Sequence, residues 1–463
     1  MKPLSITILA YAVVFAQISV SPTIVQLADA SVECAEQSFV PMMFFASGSA
    51  NADARFDAML TELATRLADN PDVIVEIRGY YHISGDGASG GGELAKRRAE
   101  AVRQKLIAFD KKIEARVFVQ PSIDATKLYR GDHGSLDLKI RQENQRAEIS
   151  VRQFDELMLS FDNTEPKRII EKLKGTGKLY RIQRLLLDNP LMFMFIEGKD
   201  FSALRKLQAA LQKEFGEPVA QRIFIALTEQ NGARMSIHAD WVIEKPIAFA
   251  RVNGNPDNAE IAIASKSGGA IKVFQAHGLP VAAPSSAWRL DKIPCPLDKY
   301  FASVLVATQS GHLERQWSKA IEFQPAGDWK KFTVDMHIAC YERDQLQPES
   351  APSANANRYI IAERIASLAK AHRGRKISVS VLGYIDDTGD AEKNRQVSKY
   401  WADLELKELQ KLLDGFGVAN NVELSAQGKS NADNGAISGV KMDESTPEGR
   451  IGKRRVGVSI ALR

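Results

Sequence analysis

The sequence has few of the residues that build metal and thiol sites. Its three cysteines are Cys34, Cys295 and Cys340, and its seven histidines lie scattered along the chain. There is no C-x-x-C motif and no pair of histidines at zinc-ligand spacing, so we expect neither a metal site nor another cofactor. In an oxidising compartment three cysteines allow one disulfide and leave one thiol over, and the sequence does not show which two would pair.

Strong net charge is absent as well. The formal charge is +4 over 463 residues, and no dense Lys/Arg stripe with interleaved aromatic residues occurs, so nothing indicates nucleic-acid binding. The composition, 44% hydrophobic and 25% charged, is that of an ordinary globular protein. The chain is too long for one compact core, and we expect three or four domains.

Long apolar runs are missing except at the N-terminus. Lys2 is followed by an uncharged stretch in which Ile8–Ala16 is continuously apolar, and Ala28–Ala30 supplies small residues at signal-peptidase spacing. We predict a cleaved signal peptide over residues 1–30, with an uncleaved membrane anchor as the alternative. No other segment approaches the ~20 apolar residues needed to cross a bilayer. The sequence therefore predicts export to the periplasm, with no membrane-spanning segment once the signal is removed.

The chain does contain a pattern of strands and helices that occurs twice. In residues 31–152 the amphipathic helix Arg55–Leu67 precedes the alternating strand Val73–Ile77, a glycine-rich loop and a helix at Leu94–Leu106. The same order returns in residues 327–463. There the elements are a helix at Tyr359–Ala371, a strand at Ile377–Leu382, a helix at Val397–Leu413, and strands at Val422–Ala426 and Val456–Ala461.

Both segments resemble the OmpA C-terminal (OmpA/MotB-like) peptidoglycan-binding domain, whose pattern is roughly G-[HYF]-T-D-x-x-G-x4-N-x2-L-S-x-x-R-A, closing with N-R-R-V-E-I. The 327–463 segment fits that spacing without a gap, and the 31–152 segment fits with one extra loop residue. In the 327–463 segment the matching residues are Gly383, Tyr384, Asp386, Gly389, Asn394, Val397, Ser398 and Ala402. In the 31–152 segment they are Gly79, Tyr80, Leu94, Arg97, Arg98, Ala99 and Val102.

The resemblance implies a multi-domain α+β protein built from OmpA-like βαβαβ(α)β sandwiches. It also implies a non-catalytic role in which a loop aspartate and a helix arginine hold the diaminopimelate of the peptidoglycan stem peptide. A carboxylate suits the ligand's ammonium group, and a guanidinium suits its carboxylate. The candidate peptidoglycan-binding residues are Asp386, Asn394, Tyr384, Gly383, Arg98, Gly79 and Tyr80.

Each segment departs from the family pattern at one member of the pair. The 31–152 segment keeps Arg98 but has His82 at the aspartate position, while the 327–463 segment keeps Asp386 but has Trp401 at the arginine position. Arg98 lies on an apolar helix stripe, where a charge needs a partner. It either binds a ligand or pairs within the fold, and Asp86 is an available substitute for the missing acid.

The middle of the chain divides into two further regions. Residues 153–245 are predicted to form either a third, degenerate OmpA-like copy or a generic α+β unit, with Asp200 adjoining a helix start where the binding loop would be. Residues 246–326 are predicted to form an Ig-like β-sandwich, since apolar alternation flanks a Gly-Gly turn. The Pro/Ser-rich stretch 345–357 is predicted to be a loop or hinge.

Three functions remain open from the sequence. The first is a peptidoglycan-binding tether, and the second is a periplasmic scaffold whose OmpA-like domains bind envelope proteins. The third, a wall-active enzyme using Cys340 or Cys295, has little support, because His337 and Cys340 fall in the alternating run of a buried strand. Residues 175–178 (GTGK) lack P-loop context and predict a turn.

Overall fold

The computed structural model describes residues 41–87, 90–127, 137–152, 154–162, 165–229, 232–240, 332–341, 345, 348, 351–429 and 443–462, together with strands between residues 24 and 325. The described residues include three four-stranded mixed sheets with helices packed on them. We refer to these as the first unit (42–151), the second unit (154–239) and the third unit (332–462).

The first unit forms where apolar strands alternate with amphipathic helices. Its first helix buries Leu60, Leu63 and Leu67 on one face, which is the periodicity of a surface helix packed on a core. Following a separate strand β1 (Ile24–Leu27), its elements are β2 (Met42–Phe44), α1 (Asp57–Asp69), β3 (Val75–Tyr81), α2 (Ile83–Asp86), α3 (Gly91–Phe109), β4 (Val117–Asp124), α4 (Asp137–Asn144) and β5 (Arg146–Val151).

The second unit has a shorter loop after its second strand. That strand, MFMFIEG, is buried along its whole length, and Asp200 follows it directly as the N-cap of the next helix, accepting a hydrogen bond from the backbone N–H of Ala203. The elements are β6 (Phe154–Phe161), α5 (Pro166–Gly175), α6 (Lys178–Asp188), β7 (Met192–Gly198), α7 (Phe201–Phe215), β8 (Ile223–Leu227) and β9 (Ala233–Ala239).

Strands alone are described between the second and third units. They are β10 (Phe249–Asn255), β11 (Asn258–Ala264), β12 (Ala270–His277), β13 (Lys299–Tyr300), β14 (Ser303–Ala307), β15 (Leu313–Trp317) and β16 (Ile321–Pro325). β11 and β12 pair antiparallel, as the predicted hairpin requires. The Ig-like sandwich stays a prediction. β1 falls within the predicted signal peptide, residues 1–30, and pairs with β16. The rest of the predicted signal peptide lies outside the described residues. Cys34 and Cys295 lie outside them as well.

In the third unit the first helix begins earlier than the sequence predicts. Its elements are β17 (Phe332–Cys340), α8 (Ala351–Ala371), β18 (Ile377–Tyr384), α9 (Ala391–Phe416), β19 (Val422–Lys429), α10 (Pro447–Lys453) and β20 (Arg455–Leu462). Helix α8 begins inside the 345–357 stretch that was predicted to be a loop or hinge. Ala354 and Ala356 are fully buried, and the Asn357 amide donates to the Ile338 carbonyl at 3.0 Å. Tertiary packing therefore extends the helix through a polar sequence.

All three units share one sheet topology. If the strands of each unit are numbered along the chain, the order across the sheet is 1-4-2-3 in every case. The second and third strands are parallel, and the fourth runs antiparallel between the first and second. A helix follows each of the first two strands, as the parallel connection requires. The mixed α/β architecture predicted from the sequence is confirmed, and the domain boundaries stay predictions.

Each unit contacts the other two. The first and second units meet where Asp72 and Asn189 exchange hydrogen bonds of 2.7 and 2.9 Å. The second and third meet where the hydroxyl of Tyr359 donates to Gln208 at 2.9 Å. The first and third meet through Glu143 on α4, which is described below. The apolar residues of the three units form one continuous buried cluster, so the units stabilise one another.

In the first and third units a glycine near the end of the second strand allows a helix to lie against that strand. A Cβ added at Gly79 would lie 1.9 Å from the carbonyl oxygen of Ala95 in α3, and one added at Gly383 would lie 1.9 Å from that of Ser398 in α9. Both neighbouring atoms belong to helix backbone and cannot rotate away. The Gly-Tyr motif is therefore required by packing, whatever the ligand.

We expect Gly383→Ala to lower the free energy of unfolding by about 3 kcal/mol, because the added methyl forces α9 away from β18. The measurement is urea denaturation of the full chain. Gly92→Ala, at a glycine in the first turn of α3, is the control, since no atom lies within 4 Å of its Cβ position. It should be neutral or stabilise by up to about 1 kcal/mol. Equal effects from the two would contradict the packing role.

Candidate functional site

In the first unit a buried ion pair lies beneath the loop that follows β3. Asp86, on the short helix α2, faces Arg98 on α3, and both side chains are 0% exposed. The pair is bidentate, with Nη1–Oδ2 at 2.8 Å and Nη2–Oδ1 at 2.7 Å. This geometry gives the strongest form of a carboxylate–guanidinium contact. The acid missing from the family position is thus supplied four residues further along the loop.

Every donor of Arg98 is used inside the protein. In addition to the two bonds to Asp86, its guanidinium donates to the carbonyls of Ser49 (2.9 Å), Tyr80 (3.1 Å) and Ala46 (3.3 Å). A guanidinium has five N–H groups, so none remains for a ligand carboxylate. Arg98 therefore pairs within the fold, and its assignment as a peptidoglycan-binding residue stays a prediction.

Asp86 is held in its charged form. Burial by itself would raise the pKa of this carboxyl, but the hydrogen bonds and charge of Arg98 outweigh it, and the backbone N–H groups of Gly48 and His82 add to the effect. The pKa of Asp86 is therefore lowered. His82, at the family's aspartate position, is itself buried, and its Nδ1 lies 3.0 Å from the Ser84 hydroxyl.

In the third unit Asp386, the acid at the motif's aspartate position, also has its hydrogen-bond partners within the protein. Asp386 Oδ1 accepts from the backbone N–H of Thr388 at 3.0 Å and from the Thr388 hydroxyl, and its Oδ2 accepts from Arg454 Nη1. The amide of Asn394 donates to the carbonyls of Asp386 and Thr388 at 3.3 and 3.0 Å. Asn394 therefore shapes the loop, and Arg454 supplies the cation that the family takes from its helix.

The same arginine connects the two units. Arg454 Nη2 donates to Glu143 Oε2 at 2.9 Å, and Arg450 Nε donates to Glu143 Oε1 at 2.8 Å. Glu143 belongs to α4 of the first unit, whereas both arginines belong to the third. We call Glu143, Arg450, Arg454 and Asp386 the inter-unit ion cluster. Its side chains are 1–2% exposed, and its formal charges cancel.

Trp401 occupies the arginine position as part of the core. It is fully buried and stacks on Tyr341 with ring centroids 4.6 Å apart. Its indole N–H donates to the carbonyl of Gln345 at 3.0 Å. Tyr341 in turn pairs with Glu405, which Arg358 neutralises. The indole therefore fills this position as part of an aromatic pair in the core of the third unit.

The two loops correspond in detail around their tyrosines. Arg146 lies over the ring of Tyr80 at 4.3 Å, and Arg455 lies over the ring of Tyr384 at 5.5 Å. Both tyrosines are buried, so they serve packing. In the residue before each last strand, the Gln145 amide donates to Asp86 at 3.2 Å, in the place where Arg454 reaches Asp386. The segments Asn144-Gln145-Arg146 and Lys453-Arg454-Arg455 stand where the family pattern closes with N-R-R, which is a sequence signal for these partners.

A cleft of about 720 Å³ lies over the first unit's pair, between the first and third units. It is open at the surface and mixes apolar with hydroxyl, amide and charged groups. Ser49 and Gln145, which contact the pair directly, line it. The complete lining comprises Phe44, Phe45, Ala46, Ser47, Ser49, Asn51, Ala52, Asp53, Arg55, Ser84, Gly85, Leu138, Arg141, Gln142, Gln145, Ser445, Thr446 and Pro447.

The thiol suggested as a nucleophile lies elsewhere. Cys340 Sγ is 3.8 Å from His337 Nε2, because a register shift in β17 brings both side chains to one face. Neither residue lines the cleft. Within the part of the chain that the structure describes, no cluster of His, Cys, Asp or Glu could hold a metal ion. No described helix combines the length and apolar character needed to cross a bilayer.

Comparisons with known proteins found similarity only to solved structures. No protein-family profile matches the chain, and no curated sequence does. The peptidoglycan-associated lipoprotein from Burkholderia pseudomallei is 22% identical, with a TM-score of 0.20, over 24% of this chain and 90% of its own. The C-terminal domain of Helicobacter pylori MotB is 22% identical, with a TM-score of 0.21, over 25% of this chain and 84% of its own.

A further similar structure is the OmpA-like domain of FopA1 from Francisella tularensis. It is 16% identical, with a TM-score of 0.19, and the match covers 28% of this chain and 73% of that one. All three matches span less than a third of the chain at low TM-scores. The functional argument therefore rests on the residues and contacts described above.

Proposed function

We propose that this protein is a non-catalytic component of the bacterial cell envelope that associates with peptidoglycan through the cleft between its first and third units. The observation that carries the proposal is the cleft above the buried Asp86–Arg98 pair, which is lined by hydroxyl, amide and charged groups. The first unit lost the family acid at His82 but regained a carboxylate on the same guanidinium. In this proposal the first and third units are divergent OmpA-like domains, and the second is a degenerate copy.

The ligand would be held differently from the family pattern. Because Arg98 has no donor left, a stem peptide would contact the groups above the pair, including the hydroxyls of Ser47 and Ser84 and the amide of Gln142. Arg55 and Asp53 on the rim carry one charge of each sign. They pair with each other at 3.7 Å, and Arg55 also pairs with Glu448 at 3.3 Å. A zwitterionic ligand such as diaminopimelate would bind by exchanging these weak, exposed pairs for its own charges. Binding would be weaker than in a family member with an unpaired arginine.

A second candidate is a periplasmic scaffold that binds envelope proteins and not peptidoglycan. One observation favours it: Asp386, the acid that the third unit keeps, is paired with Arg454 within the inter-unit ion cluster. In this alternative the former ligand residues now fix the arrangement of the units. The cleft would then have no stem-peptide ligand.

Cosedimentation of the full mature chain with purified sacculi separates the two candidates. We expect the wild type to bind, and Asn51→Trp to bind at least about tenfold more weakly, a change of ~1.4 kcal/mol, because the indole fills the cleft. Asn51 lines the cleft and is exposed, so the fold should tolerate the substitution. Titration with a diaminopimelate-containing stem peptide should show the same ratio.

The matched control is Asn420→Trp, which adds the same ring at an exposed asparagine outside the cleft. It should bind sacculi as the wild type does. Absence of wild-type binding, or equal binding by Asn51→Trp, would reject peptidoglycan association at this cleft and favour the scaffold.

A further inference from the structure

The helices α5 and α6 of the second unit concentrate positive charge. Residues 166–188 contain seven Lys or Arg against two Asp or Glu, a formal +5, whereas the whole chain carries +4. The two helices are joined by a tight turn in which Gly177 has φ +72° and begins α6 as its N-cap. This confirms that residues 175–178 form a turn. We call α5, the turn and α6 the basic helical hairpin.

Most of this charge faces solvent. Exposed or partly exposed basic residues occur on both helices, and three of them pair only at the surface, Arg168 with Glu165, Lys174 with Glu214 and Arg184 with Asp188. Such exposed pairs are weak. Lys167, Lys172 and Lys178 have no carboxylate partner within salt-bridge distance among the described residues. The three side chains therefore keep an uncompensated +3 on this surface.

The apolar side of the hairpin is already used. Ile169 and Leu173 of α5 and Ile182 and Leu186 of α6 are buried against the rest of the unit. The hairpin therefore cannot insert an apolar face into another structure without unfolding from its own. Tyr180, in contrast, is 69% exposed, more than any other large hydrophobic side chain among the described residues. It stands among the basic side chains of α6.

We propose that the basic helical hairpin docks this protein on the surface of an anionic phospholipid membrane. A rigid surface of lysines and arginines complements the phosphates of anionic headgroups, and each Lys or Arg close to such a surface strengthens binding roughly fivefold. An exposed tyrosine among the cations is suited to the headgroup level, where its ring is apolar and its hydroxyl is hydrated. The docking is peripheral and reversible, since the apolar faces stay buried.

The phospholipid surface fits the hairpin better than other polyanions do. Nucleic-acid sites use extended basic grooves with several stacking aromatics, whereas the hairpin offers one tyrosine on a convex pair of helices. Peptidoglycan stem peptides carry amino as well as carboxyl groups, and the hairpin offers them few carboxylates. An array of like-charged headgroups satisfies many separate lysines at once, which is the arrangement present here.

Vesicle cosedimentation tests the proposal with the full mature chain. We expect binding to mixed phosphatidylglycerol and phosphatidylcholine vesicles at low salt, little binding to phosphatidylcholine alone, and loss of binding as salt is raised. The triple variant Lys167→Gln, Lys172→Gln and Lys178→Gln removes three unpaired charges. It should weaken binding roughly 100-fold, from about fivefold per charge.

The matched control removes three exposed lysines from other helices, as Lys96→Gln, Lys370→Gln and Lys407→Gln. It has the same net charge as the triple variant and should bind within about threefold of the wild type. Equal losses in the two variants would show a net-charge effect and reject the hairpin as the docking surface. Absence of wild-type vesicle binding, or charge-dependent binding to sacculi or to nucleic acid with none to vesicles, would reject the membrane partner.

Discussion

Replacing Arg98 by Met should lower the free energy of unfolding by about 3–5 kcal/mol, because it leaves the carboxylate of Asp86 buried without its cation. The side chain of Asp86 is 0% exposed, so water cannot take the place of the guanidinium. Methionine keeps most of the volume and so limits the packing loss. Urea denaturation of the full chain at pH 7 measures the change.

The double variant Arg98→Met with Asp86→Asn separates the charge from the packing. Asparagine carries no charge and keeps one oxygen, which can accept from the N–H of Gly48 in the place of Oδ1 or from that of His82 in the place of Oδ2. We expect it to recover at least half of the loss, as a buried ion pair replaced as a whole costs less than one broken. No recovery would mean that Arg98 acts mainly through its three backbone carbonyls.

The pH dependence of the Arg98→Met variant follows from the same pair. In the wild type the pKa of Asp86 is lowered, so its contribution to stability is present above the unfolded value of about 3.9 and is lost as pH falls through the folded value. Without Arg98, burial raises that pKa, and protonation relieves the destabilisation. The stability difference between wild type and variant should therefore narrow as pH falls from 7 toward 4. A constant difference would contradict the assignment.

Replacing Glu143 by Gln should also cost about 3–5 kcal/mol, since it leaves Arg450 and Arg454 facing each other with the carboxylate of Asp386 as the remaining charge partner in the cluster. The amide keeps the size of the side chain and removes only its charge and one acceptor oxygen. Because Glu143 lies in the first unit and the arginines lie in the third, the decrease in the free energy of unfolding measures the contribution of the contact between these two units. Unfolding should become less cooperative, with separate transitions by fluorescence and circular dichroism.

The control for Glu143→Gln is Glu423→Gln, which breaks the exposed pair with Lys376 on the third unit. Its effect should stay within about 1 kcal/mol. A similar small loss from Glu143→Gln would show that the cluster is not needed to hold the units together. The scaffold alternative would then lose its main support, since it depends on the former ligand residues fixing the units.

Local patterns in the sequence predicted much of the fold because they reflect local physics. The 3.6-residue spacing of Leu60, Leu63 and Leu67 predicted α1, and alternation predicted β18. The polar composition of residues 345–357 predicted a loop or hinge where α8 in fact begins, because the burial of Ala354 and Ala356 depends on contacts remote in sequence. The Gly-Tyr pairs were predicted as binding residues, whereas the structure shows that packing against α3 and α9 is enough to require the glycines.

The sequence by itself determined that the chain repeats one strand–helix pattern and that His82 and Trp401 stand at the acid and arginine positions of the motif. Only the tertiary structure decided which groups pair with Arg98 and Asp386. Asp86 comes from the short helix α2, Arg454 from the residue before the last strand, and Glu143 from another unit, 307 and 311 residues along the chain from the two arginines it pairs with. A buried charge must find a partner wherever the fold brings one near, and sequence spacing does not encode distances between elements that meet only after folding.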